Sequence, residues 1–584
     1  MSDQSSPNAG GAAGDVERDR QILVSARQKG KLSTFGAFFR LSGPGWMQSA
    51  ITLGGASLAG SLYLGVLGGY SMLWLQPLAI IAGIVMLGAI SYVALSTDER
   101  PFGAINRHIN PMLGWSWAIA TLIANVVFAM PQFALATAAL QQNLMPNIVG
   151  PDAMPGAGGK LVVCGGILAI CIFVTWFYNS GSKGVKFFDI VLKLMVGVIV
   201  ACFFGVVVKM SFAEGGGLEW GSILKGYIPN PGLLTTPAET FAPFIDGVDV
   251  CFRQFWSDMI VSEQRSVMIT AVSAAVGINM TFLMPYALLK RGWNKDFRGL
   301  AIFDLSFGMF IPFILATSCV MIASASQFHT QPAAGLLGAK DASGAVIEVP
   351  ANLKRGYTKN AEARIKFEIG ADAFDALSKE EKARRVESLP QADKRMAAML
   401  VRRDAFNLAN SLSPLTGPVV AHYAFGVGVV GMGISSIIIM MLINGFVFCE
   451  VLGVESKGWQ YRVGSLMPAV GALAPFLWTG GKAQFWLAVP AFVFGMMILP
   501  IAYFTFFMMM NSKSLLGDNM IRGGKRVVWN VLMVIVLGLV TPCAVWAIWN
   551  FSSHKLGSGW VGAGLMIAFV AITLIVGVLR PKPK

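Results

Sequence analysis

Long apolar runs separated by short polar ones recur from about residue 45 to the end of the chain. A run of about 20 such residues can cross a bilayer as a helix. The pattern predicts spans at about 45–68, 72–95, 113–138, 161–178, 187–208, 266–289, 300–325, 416–448, 464–479, 485–510, 527–550 and 559–579. The predicted fold class is therefore all-α, a polytopic membrane protein of about twelve transmembrane helices. The first span departs from the rest. It opens on Gly43-Pro44-Gly45-Trp46, is interrupted at Gly54-Gly55-Ala56 and resumes to Gly68. Glycine loses the most conformational freedom on ordering, so a glycine pair at mid-depth weakens the helix there. Backbone left open at that depth is tolerated only inside protein or beside a water-filled cavity. Discontinuous helices of this kind line the central sites of many transporters, whereas a glycine-rich face for close helix packing would use the same residues.

The polar segments complete the layout. Residues 1–40 begin Gly/Ala/Ser-rich and polar, and are expected to be a disordered cytoplasmic tail. Residues 209–265 form a long outside segment ending in an amphipathic stretch with Asp246, Asp249, Arg253, Asp258 and Glu263. Residues 326–415 read as an external, partly helical insertion, with a solvated helix over Ala373–Arg385 or else a mobile loop. Counting from an inside N-terminus, the inside loops hold Arg100, Arg107, Lys183, Lys186, Lys290, Arg291, Lys457, Arg462, Lys513 and Arg526, and the C-terminal tail holds Arg580, Lys582 and Lys584. The short outside loops hold little beyond Lys160, Lys482 and Lys555. That asymmetry predicts both ends in the cytoplasm, and the membrane is read as a bacterial inner membrane.

Composition narrows the function classes. Of 584 residues, 55% are hydrophobic and 13% charged, and the mean hydropathy is +0.62, which excludes a soluble enzyme. The net charge of +14 sits largely in short loops and in the insertion, so it points to membrane orientation and the lipid bilayer and not to nucleic acid. Seven cysteines are scattered without a CxxC pair, and no Walker loop, HExxH or Gly-x-Ser-x-Gly appears. No catalytic residue or cofactor is expected. His422, near a span interior, lacks the companions a metal would need.

Gly43-Pro44-Gly45-Trp46-Met47-Gln48-Ser49-Ala50 and Gly69-Tyr70-Ser71-Met72-Leu73-Trp74 resemble the first-span signature of Nramp-type divalent metal transporters. Further stretches follow in family order: Glu219 to Pro229, Ala301-Ile302-Phe303-Asp304, Phe425-Gly426, Gly433-Ile434-Ser435-Ser436 and Leu515-Leu516-Gly517. The resemblance covers the membrane part but not the tail or the insertion. It implies an inverted-repeat (5+5) transporter fold with broken helices 1 and 6 around a central site. The chain then departs from the family. The Asp-Pro-Gly-Asn break of the family falls on Gly54, Gly55, Ala56 and Ser57. In helix 6, aligning Val276-Gly277 puts Ile278 and Thr281 at the ligand positions, and a frame shifted by three puts Met284 there instead. The third-helix Asp and Glu fall on Leu122 and Asn125, and the eighth-span Gln falls on Ile434.

The candidate transport site is thus Gly54, Gly55, Ser57, Asn125, Gln132, Ile278, Asn279 and Thr281, with Ser57 and Thr281 as the side chains nearest a metal. Asp189, Lys193 and Met284 are candidates for gating or coupling. Asp189 and Lys193, four apart on one helix face, are expected to pair; Asp304 is expected to pair with Arg298 or Lys295. Hard cations usually take carboxylate oxygens, and none remains at these positions. A hydrated divalent cation carried without family-type proton coupling, a small organic solute, and a transporter-derived sensor or scaffold without flux are the readings left open. The oligomeric state is open as well.

Overall fold

The computed structural model describes residues 9–178, 182–212, 217–333, 335–339, 349–403, 405–417, 419–477, 488–555 and 558–579. Among them all regular structure is helical. Two helices, α1 (Ala9–Lys29) and α2 (Lys31–Leu41), precede the spans. The first span is α3 (Pro44–Thr52) and α4 (Gly55–Gly68), bent by 54°. Then come α5 (Leu75–Thr97), α6 (Pro111–Ala139), α7 (Gly158–Phe177), α8 (Ser182–Ser211), α9 (Val250–Ala275) and α10 (Ile278–Lys290). Next, α11 (Arg298–Asp304) runs through a π turn at Leu305–Phe310 into α12 (Ile311–Phe328). The insertion carries α13 (Ala351–Ile369), α14 (Lys379–Ser388) and α15 (Gln391–Met399). After it come α16 (Ala405–Thr416), α17 (Phe425–Val451), α18 (Gly458–Leu466), α19 (Ala488–Met510), α20 (Gly524–Lys555) and α21 (Gly559–Leu579).

Among the described residues ten helices are long and apolar enough to cross a membrane, or eleven with the bent pair, against the expected twelve. The shortfall is the span expected at 464–479. That stretch is α18, a tight turn over Met467–Leu473 and a short helix at Ala474–Leu477, because Pro468 and Pro475 each withhold a backbone donor. Its last two residues, like Lys482, Arg580, Lys582 and Lys584, lie outside the described residues. At the centre, α17 packs along α6, and α4 lies between α9 and α12.

Three sequence expectations are corrected. Residues 1–40 were expected to be a disordered tail; residues 1–8 lie outside the described residues, and the rest is helical, α1 and α2 docking on the start of the seventh span. Arg20 donates to Asp296 Oδ2 (2.8 Å) and Arg27 to the Asp296 carbonyl (2.8 Å), while Phe35, Phe38 and Phe39 pack edge-on or tilted against Phe303. The docking partners lie more than 250 residues away, so nothing local signals the order.

The sixth span begins at Val250 and not at 266, so the amphipathic end of the 209–265 segment is helix. Its polar turns are satisfied by the insertion. Trp256 Nε1 donates to Asp393 Oδ1 (2.7 Å), and Arg402 donates to Glu263 Oε2 (2.7 Å). The third correction lies in the insertion itself. The helix expected over 373–385 is split, with Ala371–Asp375 ending before α14. Ser378 and Glu381 form a reciprocal cap there, and the backbone N–H of Ser378 holds the Glu381 carboxyl below its usual range.

Candidate functional site

Both helix breaks are non-helical backbone buried inside the protein. At the first, Leu53 (φ −79°, ψ 63°) and Gly54 (φ −111°, ψ 179°) leave the helical region. The carbonyls that lose helical donors find side chains instead. Ser435 Oγ donates to the Ala50 carbonyl (2.8 Å), Ser436 Oγ lies 3.4 Å from the Ala50 and Ile51 carbonyls, and Ser57 Oγ donates to the Thr52 carbonyl. The first free N–H of α4, that of Gly55, donates to Gln132 Oε1 (2.7 Å). A side chain at Gly55 would crowd this bond, since a Cβ there would lie 3.0 Å from Gln132 Oε1 and 2.8 Å from Leu135 Cδ2.

At the second break, Val276 (φ −143°, ψ 105°) and Gly277 (φ −83°, ψ 164°) are extended. The two breaks are stitched to each other. Thr52 Oγ1 donates to the Ala275 carbonyl (3.3 Å), and Gln48 Nε2 donates to the Met280 carbonyl (3.1 Å). A row of amides crosses from here to α17. Asn279 Nδ2 donates to Asn125 Oδ1 (2.8 Å), and Asn125 Nδ2 donates to Asn444 Oδ1 (2.8 Å). Thr281 Oγ1 accepts from Trp117 Nε1 (2.9 Å) and donates to the Ile278 carbonyl. The Trp117 ring lies on Phe282 at 4.6 Å, and Phe128 stacks on Phe492 at 4.3 Å.

All eight site positions expected from the sequence are buried at these breaks or beside them. Gly54, Gly55, Ser57 and Gln132 meet at the first; Asn125, Ile278, Asn279 and Thr281 meet at the second. Met284 is not among them. It lies seven residues past Gly277, about 10 Å along the helix, whereas Thr281 is one turn away. Gln48, Thr52, Trp117, Ser435, Ser436 and Asn444 belong to the site and were not singled out by sequence. Trp117, Thr121 and Asn125 share a face of α6 at spacing four, a pattern the sequence does carry. Gln48 Oε1 and Thr121 Oγ1 are buried without a hydrogen-bond partner in the protein. Every side chain in the site is neutral, and among the described residues no three His, Cys, Asp or Glu come together.

Asp189, Lys193 and Asp304 sit toward the α2 end of the spans, and both expected pairings are corrected. Asp189 binds Arg291 Nη2 (2.6 and 2.7 Å), while Lys193 Nζ donates to the Ser42 carbonyl (2.7 Å). Asp304 accepts from Ser42 Oγ and from the N–H groups of Gly43 (3.2 Å) and Gly45 (2.6 Å), and Arg298 reaches Asn519 Oδ1 instead (2.9 Å). In each case a partner far along the chain outcompetes the neighbour in sequence. The result ties the start of α3 to α8 and α11. Glu450, at the end of α17, pairs with Arg100 (3.3 Å).

At the opposite mouth Arg402 reaches Glu263 of α9 and lies 5.3 Å from the Tyr63 ring of α4. His329 bridges Val66 O (3.0 Å) and Thr240 Oγ1 (2.6 Å). Burial pushes its imidazole below the usual histidine range, against the pull of the Val66 carbonyl.

A family model described as natural resistance-associated macrophage protein-like matches residues 45–349 and 396–550. No curated relative matches the chain. Among solved structures it is similar to a histidine-to-alanine mutant of the Eremococcus coleocola manganese transporter, at 14% identity and a TM-score of 0.61, covering 93% of this chain and 95% of that one. It is equally similar to that transporter in complex with an aromatic bis-isothiourea substituted compound, at 14% identity and a TM-score of 0.61, with 94% and 96% covered. At this identity the likeness establishes a shared polytopic transporter fold.

Proposed function

The chain belongs to the natural resistance-associated macrophage protein-like family, and on that premise we propose that it moves a divalent metal cation across the membrane by alternating access, with the ion keeping much of its water shell. One observation carries the reading. The two helix breaks face each other across a lining of amides, hydroxyls and backbone carbonyls, all neutral. A bare divalent ion there would lose its hydration without a countercharge. A hydrated ion presents water instead, which Gln48 Oε1, Thr121 Oγ1, Ser57, Thr281 and the Ala50–Thr52 carbonyls can accept from. Asn125 and Leu122 cannot carry a proton, so transport is not proton-coupled in the family manner. The tail faces the cytoplasm, as the basic loops between the first spans indicate.

The test is uptake of magnesium, manganese, cobalt and calcium by purified protein in proteoliposomes, each with and without a proton gradient. We expect saturable flux of at least one cation, indifferent to the gradient. Flux driven by the gradient would sink the uncoupled reading. No flux from folded protein would turn the assignment to an organic solute or a sensor.

A milder variant probes the lining. Trp117→Phe keeps the ring and removes the bond to Thr281. It should lower stability by about 1 kcal/mol and raise KM severalfold. An unchanged KM would show that Trp117 does not position Thr281.

A further inference from the structure

We propose that α1, α2 and the start of the seventh span form a binding site for one anionic phospholipid of the leaflet on the α2 side. A cavity of about 360 Å³ lies where these three elements meet. Arg27, Lys31, Phe35, Phe38 and Phe303 line it. The lining thus offers two cations beside three aromatic rings. An anionic head joined to an acyl chain satisfies both kinds of group. Free phosphate would leave the rings without a partner.

The placement of α2 supports a lipid. Leu32, Phe35 and Phe39 repeat at spacing three and four, so they form one stripe. Their side chains remain 87%, 43% and 48% exposed. Lys31 and Arg40 flank that stripe on opposite sides, as on helices that lie in the membrane interface with basic groups reaching the headgroups. Residues 16–41 carry six basic side chains against two acidic ones. Phe303 and Phe307, beneath the stripe, belong to the membrane-spanning stretch Lys295–Phe328. The site therefore sits at the edge of the hydrocarbon, where lipid is the neighbour. Because Leu41 is followed at once by Ser42 and Gly43, lipid held on α2 also fixes the approach to α3.

The inference needs the chain to be membrane-embedded but does not need the cation reading, and its test contains no flux. Full-length protein purified in neutral detergent would be titrated with phosphatidylglycerol or with phosphatidylcholine of the same acyl chains, and bound lipid counted by native mass spectrometry. We expect phosphatidylglycerol to be retained over phosphatidylcholine, and Lys31→Glu to cut its retention about fivefold or more, as one juxtamembrane charge implies. Lys31→Arg should retain it. Lys225→Glu, in the loop at the opposite mouth, should leave retention unchanged, and millimolar inorganic phosphate should not displace the lipid. Equal binding of the two lipids, wild-type retention by Lys31→Glu, or displacement by phosphate would each overturn the proposal. Lys31→Glu leaves the Arg20–Asp296 pair and the aromatic contacts intact, and limited proteolysis of the tail would verify that α2 stays docked.

Discussion

Replacing Asp304 by alanine is expected to lower stability by about 2–4 kcal/mol and to abolish uptake even in the fraction that stays folded. The side chain is fully buried. It accepts from Ser42 Oγ and from the Gly43 and Gly45 N–H groups, so it caps the start of α3 from another helix. A helix N-terminus leaves its first donors unsatisfied and carries partial positive charge. Alanine would strand two buried N–H groups and a hydroxyl in a region water does not reach. The contact also has no slack, because a Cβ on Gly45 would lie 2.1 Å from the Asp304 carbonyl oxygen.

On the proposed alternating-access reading, α3 moves as a unit. Its start is held by Asp304 of α11 and, through Ser42, by Lys193 of α8. Without the anchor the two states lose their fixed geometry. Asp304→Asn keeps one acceptor and should fall between wild type and alanine in thermal midpoint. An alanine variant that melts and transports like wild type would show that α3 is anchored elsewhere.

The parts of this architecture that depend on local chain chemistry were legible in the sequence. The spans follow from apolar length. The adjacent glycines allowed a break or a close-packing face, and the structure bends between Thr52 and Gly55. What was not legible depends on partners far along the chain. Ser435 and Ser436 sit in an apolar run with nothing to mark them as caps for carbonyls nearly four hundred residues earlier. Asn444 looks like an isolated polar residue until Asn125 and Asn279 complete the amide row. The charges mislead for the same reason. Spacing four suggests Asp189 with Lys193, yet the guanidinium of Arg291 offers a shorter, two-oxygen contact that spacing along one helix cannot reveal. The tail failed differently: its polar first turns hide a Phe35–Phe39 stripe that is only useful once Phe303 is in place.

On the hydrated-ion reading, a carboxylate placed at the first break should convert the site to one that binds the ion directly. Gly54 is the position to change, since its backbone is ordinary extended geometry that any residue adopts. Space is the obstacle. A Cβ there would lie 2.6 Å from Ser436 Oγ and 3.1 Å from Gln132 Nε2. Ser436 makes only long bonds of 3.4 Å, so Ser436→Ala removes the clash at little expense, and the single variant is the reference for the double one. In the double variant Gly54→Asp with Ser436→Ala, the new carboxylate sits beside the Ile51 carbonyl and within reach of the second break.

At about 4 Å and an effective dielectric near 20, one negative charge attracts a divalent cation by about 8 kcal/mol before desolvation is subtracted. Stripping water from ion and carboxylate consumes most of that. We expect KM for manganese to fall by about 10- to 100-fold, equivalent to about 1.4–2.8 kcal/mol. Magnesium should gain less, because it gives up its water reluctantly. An ion held by a carboxylate also leaves more slowly, so maximal uptake should fall as affinity rises. If the folded double variant takes up manganese with unchanged KM, the ion does not pass between Gly54 and Thr281, and the neutral lining has some other occupant.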